Sequence, residues 1–197
     1  MITITGLFDT RDDAHAAVEG LKAAGIRSAD ISVISHDDNS ENTSNAAEGA
    51  GAGAGLGAVA GGAGGLLAGL GLVAIPGVGP IVAAGWLAAM LTGVAAGAVA
   101  GGAAGGLIGA MTSSGVSEGD AEIYAETVRR GGTIVMARVE ESQADAASAI
   151  LQESNLVEPS VRRRSYEGEG WTSYDDTAPG YTPEEVRQMR ERYRQIP

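Results

Sequence analysis

Residues 2–8, Ile-Thr-Ile-Thr-Gly-Leu-Phe, alternate apolar and polar side chains, which predicts a half-buried strand. Asp9 and Thr10 then offer N-cap oxygens, and Asp13 places negative charge in the first turn of a following helix. Ala14, Ala17, Val18 and Leu21 recur at helical spacing and give that helix one apolar face. Gly25 is placed to end it in a left-handed conformation, with Ile26 as the usual apolar partner. Asp30 to Ser35, Asp-Ile-Ser-Val-Ile-Ser, predicts a second strand.

The same grammar resumes late in the chain. Ser117 can cap a helix with apolar positions Ala121, Tyr124, Ala125 and Val128, and Gly131-Gly132 stop it. Thr133 to Val139 is a strand pattern, and Ser142 can cap a further helix carrying Ala147, Ile150 and Leu151. A short fourth strand is expected between Leu156 and Arg163, where Pro159 interrupts it. Residues 1–48 and 118–165 therefore read as two halves of one α+β domain. The economical arrangement is a ferredoxin-like α/β sandwich with helices on one face of the sheet.

The pattern between these halves is neither strand-like nor amphipathic. Residues 49–117 hold no formal charge and 22 of the chain's 31 glycines. A flexible linker of this length would be polar. The block is too late and too long for a signal peptide, and no cleaved targeting segment is expected at the Met1 end. Gly53, Gly57, Gly61, Gly65 and Gly69 recur every fourth residue, as do Gly93, Gly97, Gly101, Gly105 and Gly109. Between the two ladders Pro76, Gly77, Gly79 and Pro80 mark a turn. This predicts a glycine-zipper helical hairpin, with helices over about 50–74 and 81–111.

Glycine within a helix costs roughly 1 kcal/mol relative to alanine, so ten at fixed spacing imply a compensating gain from close backbone approach. Such helices would be about 38 and 46 Å long, against about 30 Å of bilayer hydrocarbon. Bulky aliphatics are sparse in the first, chiefly Leu56, Val59, Leu66, Leu67, Leu70, Leu72 and Val73. Two environments stay open: a soluble assembly in which hairpins bury one another, and a lipid bilayer. Trp86 suits either a membrane interface or a core contact. An isolated soluble monomer would leave the hairpin exposed.

Charge narrows the partners. Thirteen basic residues against 25 acidic give a net charge of −12, which disfavours nucleic acid and simple adsorption to anionic lipid. There is no cysteine, hence no disulfide, thiolate nucleophile or zinc–thiolate site. Gly55-x-Gly57 and Gly69-x-Gly71 fall short of a dinucleotide fingerprint, since Ala60 and Ala74 occupy the last position and neither stretch follows a predicted strand. No Gly-Lys-Ser/Thr triplet exists for a phosphate loop. His36, Asp37, Asp38, Asn39 and Glu41 lack the glycine and terminal glutamate of a calcium loop and read as a solvated loop, and His15 as a surface histidine. No catalytic residue, cofactor site or metal site is expected.

Arg162-Arg163-Arg164 is the one basic run, suited to pairing with carboxylates of a neighbour or to phosphate headgroups. The tail, 166–197, concentrates aromatic residues in a chain with only eight of them. Thr182-Pro183-Glu184-Glu185 supplies an N-cap, a proline at N1 and a capping-box glutamate. Trp171, Tyr174, Tyr181, Val186, Met189 and Tyr193 are the expected contacts of an arm and short amphipathic helix that dock on a neighbouring subunit.

Four segments in order resemble bacterial general stress protein 17M-like proteins: Gly6 to Ala14, Asp30 to Ile34, the Gly/Ala-rich stretch with Ile75-Pro76-Gly77-Val78-Gly79-Pro80, and Arg130 to Val135. The resemblance covers about residues 2–158 and leaves the tail outside. It implies a stress-associated bacterial protein with no established catalytic activity. The expected function is a non-enzymatic homo-oligomer, a ring, shell or filament, cytoplasmic and assembled through the glycine ladders. The alternatives are a membrane-inserted hairpin that modifies or protects the bilayer, and a carrier of an apolar small molecule.

Overall fold

A computed structural model of the chain describes residues 1–36, 71–75, 79–97, 106–175 and 177–193. Strands β1 (Ile2–Phe8), β2 (Ile31–His36), β3 (Gly71–Ile75), β4 (Gly79–Ala84) and β5 (Thr133–Val139) form one sheet in the order β1-β5-β2-β4-β3. Every neighbouring pair is antiparallel. The helices are α1 (Arg11–Ala23), α2 (Trp86–Gly97), α3 (Leu107–Ser113), α4 (Glu118–Arg129), α5 (Ala144–Glu153), α6 (Pro159–Gly168) and α7 (Pro183–Tyr193).

Local sequence explains the well-matched elements. Thr10 Oγ1 accepts from Asp13 N and caps α1. Beyond Ala23, Gly25 takes φ +88°, while Gly25 N donates to Lys22 O and Ile26 N to Leu21 O, the paired bonds of a Schellman ending. Helix α4 repeats the device: Ser117 Oγ accepts from Asp120 N, and Gly131, at φ +98°, and Gly132 donate to Val128 O and Thr127 O. Thr182 and Glu185 form the expected capping box at the start of α7, and the two bonds from Thr182 hold the Glu185 carboxyl below its usual range.

The sheet buries both faces. Phe8, Ile31, Val135, Ala137 and Val139 pack with Ala14, Ala17, Val18 and Leu21 of α1 and Ala147 and Leu151 of α5. Leu7, Ile34, Ile81, Ala83, Ile134 and Met136 point the other way, into a larger core with side chains of α2, α3, α4, α6 and α7. The period-2 alternation of adjacent residues such as Leu7 and Phe8 therefore divides two cores rather than core from solvent.

This departs from the expectation of helices on one face only. The anticipated fourth strand is a single bridge, Leu7 with Val157, and Pro159 is the first residue of α6 instead of an interruption. Proline suits that position because its fixed φ and missing N–H fit a helix start. Helix α5 starts at Ala144 after a short 3₁₀ turn, Glu141–Gln143, whose capping box uses Glu140 and Gln143 instead of Ser142.

The larger correction concerns the uncharged stretch. Helices were expected to run to about residue 74 and from about 81. Instead β3 and β4 pair as a β-hairpin with Ile75 opposite Gly79, and β4 pairs with β2. Of the expected turn residues, Pro76 and Gly77 lie outside the described residues, and Gly79 and Pro80 belong to β4. The β-branched Val73, Ile75, Ile81 and Val82 flanking these residues favour strand over helix. Pro80 precedes the part of β4 paired with β2, a position at which a strand tolerates proline. Of the expected second helix, residues 81–84 belong to β4, α2 and α3 are helical, and 98–105 lie outside the described residues; among the described residues no helix is long and apolar enough to cross a membrane.

Candidate functional site

The most chemically distinctive cluster lies where α4, α6, α7 and the connector 169–182 meet. The last turn of α4 and its C-cap place Glu126, Thr127, Arg129 and Arg130 together, all buried. The Glu126 carboxylate accepts from Arg129 Nη1 at 3.3 Å and from Arg130 Nε at 2.6 Å. Its i,i+3 and i,i+4 spacing to these arginines is the helical geometry for such pairs. Arg130 Nη1 also donates to Tyr193 Oη at 2.6 Å and to Glu169. Its guanidinium carbon sits 4.1 Å from the Tyr166 ring centre. Tyr166 is fully buried and shares a 3.0 Å hydrogen bond with Thr127 Oγ1. Its ring makes edge contacts with Trp171 and Tyr193 at centroid separations of 6.1 and 5.7 Å.

Two further arginines complete the cluster. Arg162, 4% exposed, pairs with Asp9 at the end of β1 and lies 4.5 Å from the Tyr193 ring centre. Arg129 donates to Pro179 O at 2.9 Å and stacks 4.8 Å over Tyr181. Arg190 Nε donates to Gly131 O, and Val186 packs close to Gly131. A Cβ at Gly131 would come within 2.5 Å of Val186 Cγ1 and 2.9 Å of Arg190 Nε, so glycine here serves both the left-handed turn and the seating of α7.

The electrostatics fix the protonation states. Burial works against the Arg130 charge, but its bonds to Glu126 and Tyr193 more than offset this, and its pKa lies above the ordinary value. Burial raises the Tyr166 phenol well above its usual range. Burial likewise pushes Tyr193 up to about 12, against the opposing bond from Arg130. Arg130 and both phenols keep their protons near neutral pH, so they act as a clamp with fixed donors. A tyrosine raised from about 10 in the unfolded chain adds stability that is present below pH 10 and lost as pH climbs through 12. Ultraviolet titration should accordingly show Tyr193 ionising together with loss of α7, and a Tyr193→Phe chain should lack that step. Ionisation of all five tyrosines near pH 10 in folded protein would contradict it.

The expected site residues fall into three groups. Val186, Met189 and Tyr193 are buried, and Trp171, Tyr174 and Tyr181 are half-buried, all packed on the core of their own chain. They were expected on a neighbouring subunit. Arg162, expected to pair with carboxylates of a neighbour, likewise finds Asp9 within its own chain.

Of the ladder glycines, Gly53, Gly57, Gly61, Gly65, Gly69, Gly101 and Gly105 lie outside the described residues. Gly93 and Gly97 stand on α2, and Gly109 on α3, where an added Cβ would meet open space. Gly79 and Pro80 open β4.

The histidines and Trp86 make up the third group. His15 is exposed. His36 is buried, and its carbonyl accepts from Arg11. Its expected loop companions Asp37, Asp38, Asn39 and Glu41 lie outside the described residues, among which no cluster suited to a metal is present. Trp86 is a core contact, with its indole N–H donating to Asp30 O at 3.2 Å and Arg138 stacked 4.7 Å over the ring.

The Glu126 network was not anticipated. Its readable signal was an acid placed three and four residues before two arginines on an otherwise apolar helix face. The partners Asp9, Glu169 and Tyr193 join only through tertiary packing.

No curated protein and no solved structure matches the chain. Residues 3–74 match the family model described as heat induced stress protein YflT domain, so from β1 into β3 the chain is similar to a family of bacterial general stress proteins.

Proposed function

We propose that this is a non-enzymatic, stress-associated structural protein that assembles with copies of itself through its uncharged Gly/Ala-rich stretch. The observation supporting this reading is the continuity of that stretch with the core. Strands β3 and β4 and helices α2 and α3 all come from it. Ile81, Leu87, Leu91, Leu107 and Met111 are buried in the same cluster as α4 and the tail. Association through the remaining uncharged residues would thus couple directly to the α/β domains instead of acting through a loose tether. The acidic exterior, at net charge −12, would keep such an assembly dispersed. The match over residues 3–74 supports the stress-associated part of this reading.

The test is particle mass by light scattering on protein purified without detergent. A discrete species of many copies is expected, and Gly61→Leu with Gly101→Leu should reduce its mass severalfold. An unchanged particle would overturn assembly through the ladders. Retention in carbonate-washed membranes would favour the bilayer alternative.

A further inference from the structure

We infer that α7 is an exchangeable arm, able to seat in the α4–α6 groove of a second copy as it seats in its own. This rests on the assembly proposed above, because exchange needs a neighbour within reach.

The groove is a recognition site with its own chemistry. It offers an apolar floor for Val186, Met189 and Tyr193, at i, i+3 and i+7 of α7. Arg130 meets the Tyr193 hydroxyl, Gly131 O receives Arg190, and Arg129 holds Pro179 O and Tyr181. An 11-residue helix has marginal stability alone, so α7 owes its fold to whichever groove it occupies. Trp171 is anchored through its backbone N–H to Tyr166 O, Tyr174 packs on the same core, and the following anchor is Pro179. Residues 175–178, between Tyr174 and Pro179, form no helix or strand among those described.

Exchange replaces every contact by its symmetric copy, so docking within and between chains differs little in contact energy. What decides between them is effective concentration. The four connecting residues, 175–178, span at most about 14 Å when extended. In a dilute monomer the chain's own groove wins. In an assembly with neighbouring grooves inside that radius, the two grooves compete on nearly equal terms, and arms that cross would tie subunits together. The partner is a second copy of this chain, and its bound segment is residues 179–193.

The experiment mixes two full-length chains, one at natural isotope abundance with a benzoyl-phenylalanine photo-crosslinker at Tyr181, the other uniformly ¹⁵N-labelled. They are unfolded together, refolded at high concentration and irradiated. Mass spectrometry then reads whether position 181 joins an α4 peptide of natural or heavy mass. Mixed-isotope links of abundance comparable to same-isotope links are expected in the assembled fraction, falling at least tenfold in dilute monomer. Same-isotope links alone, or no link between position 181 and α4, would overturn the inference. Repeating this in the Gly61→Leu, Gly101→Leu chain separates the two proposals. Mixed links there with unchanged mass would leave exchange standing while sinking ladder-driven assembly. Loss of both mass and mixed links would show that exchange depends on it.

Discussion

Gly85→Ala is expected to destabilise the fold by about 2–5 kcal/mol, summing left-handed strain of about 1–2 with overpacking of about 1–3. Gly85 joins β4 to α2 with φ +89°. An added Cβ would lie 2.2 Å from Ile31 O, 2.6 Å from Ser32 Oγ and 2.8 Å from Ser32 Cα. Two of these atoms are backbone of β2, a central strand, and have no rotamer by which to withdraw. The third, Ser32 Oγ, accepts from Leu87 N at 3.0 Å near the start of α2, so displacing it strips a buried donor of its partner. Gly115→Ala is the control: its φ is +94° but nothing lies within 4 Å of the added carbon. It should lose only the strain, about 1–2 kcal/mol. Urea denaturation of both variants reads the difference, and equal midpoints would show that contact with β2 plays no part.

Gly85 also illustrates what the sequence made legible. Helix ends were readable wherever the signal was local: Thr10, Gly25, Ser117, Gly131 and Thr182 each act within a few residues of chain. Gly85 carries no such signal, since the atoms that exclude a side chain there belong to residues more than 50 positions away. The β3–β4 hairpin was missed for a related reason. Small residues every fourth position suit a helix, and the regular ladders on either side concealed a run of β-branched residues around the turn. What decides for strand is the available edge of β2, which pairs Val33 to His36 with β4. The tail was legible as an amphipathic helix but not in its destination. An apolar stripe states that a face will be covered and leaves open what covers it. The polar half of the site was hidden because its members come from β1, α4, α6 and α7, and only the Glu126-to-Arg130 spacing is local.

Glu126→Ala should cost about 3–5 kcal/mol, the range for breaking a buried ion pair by removing one partner. Glu126 is 1% exposed and is the carboxylate shared by Arg129 and Arg130, themselves 7% exposed. Its loss leaves Arg129 Nη1 without its acceptor and Arg130 with only Glu169 and Tyr193 among its described bonds. Glu169 carries more solvent exposure, so it compensates a buried charge less well. The damage should spread to α7, because Arg130 positions the Tyr193 hydroxyl and Arg129 holds Pro179 and Tyr181. Hydrogen exchange should therefore speed up in α7 before the β1–β5 ladder, whose antiparallel pairing does not involve the network. A Glu126→Leu, Arg130→Met double variant separates charge from packing. Removing both partners abolishes the orphaned cation, and much of the lost stability should return if Glu126 serves chiefly to neutralise Arg130. Recovery of stability with α7 still exchanging fast would assign the network to holding the arm. Recovery of neither would mean that Arg130, through Tyr166 and Tyr193, is itself part of the packing that orders the larger core.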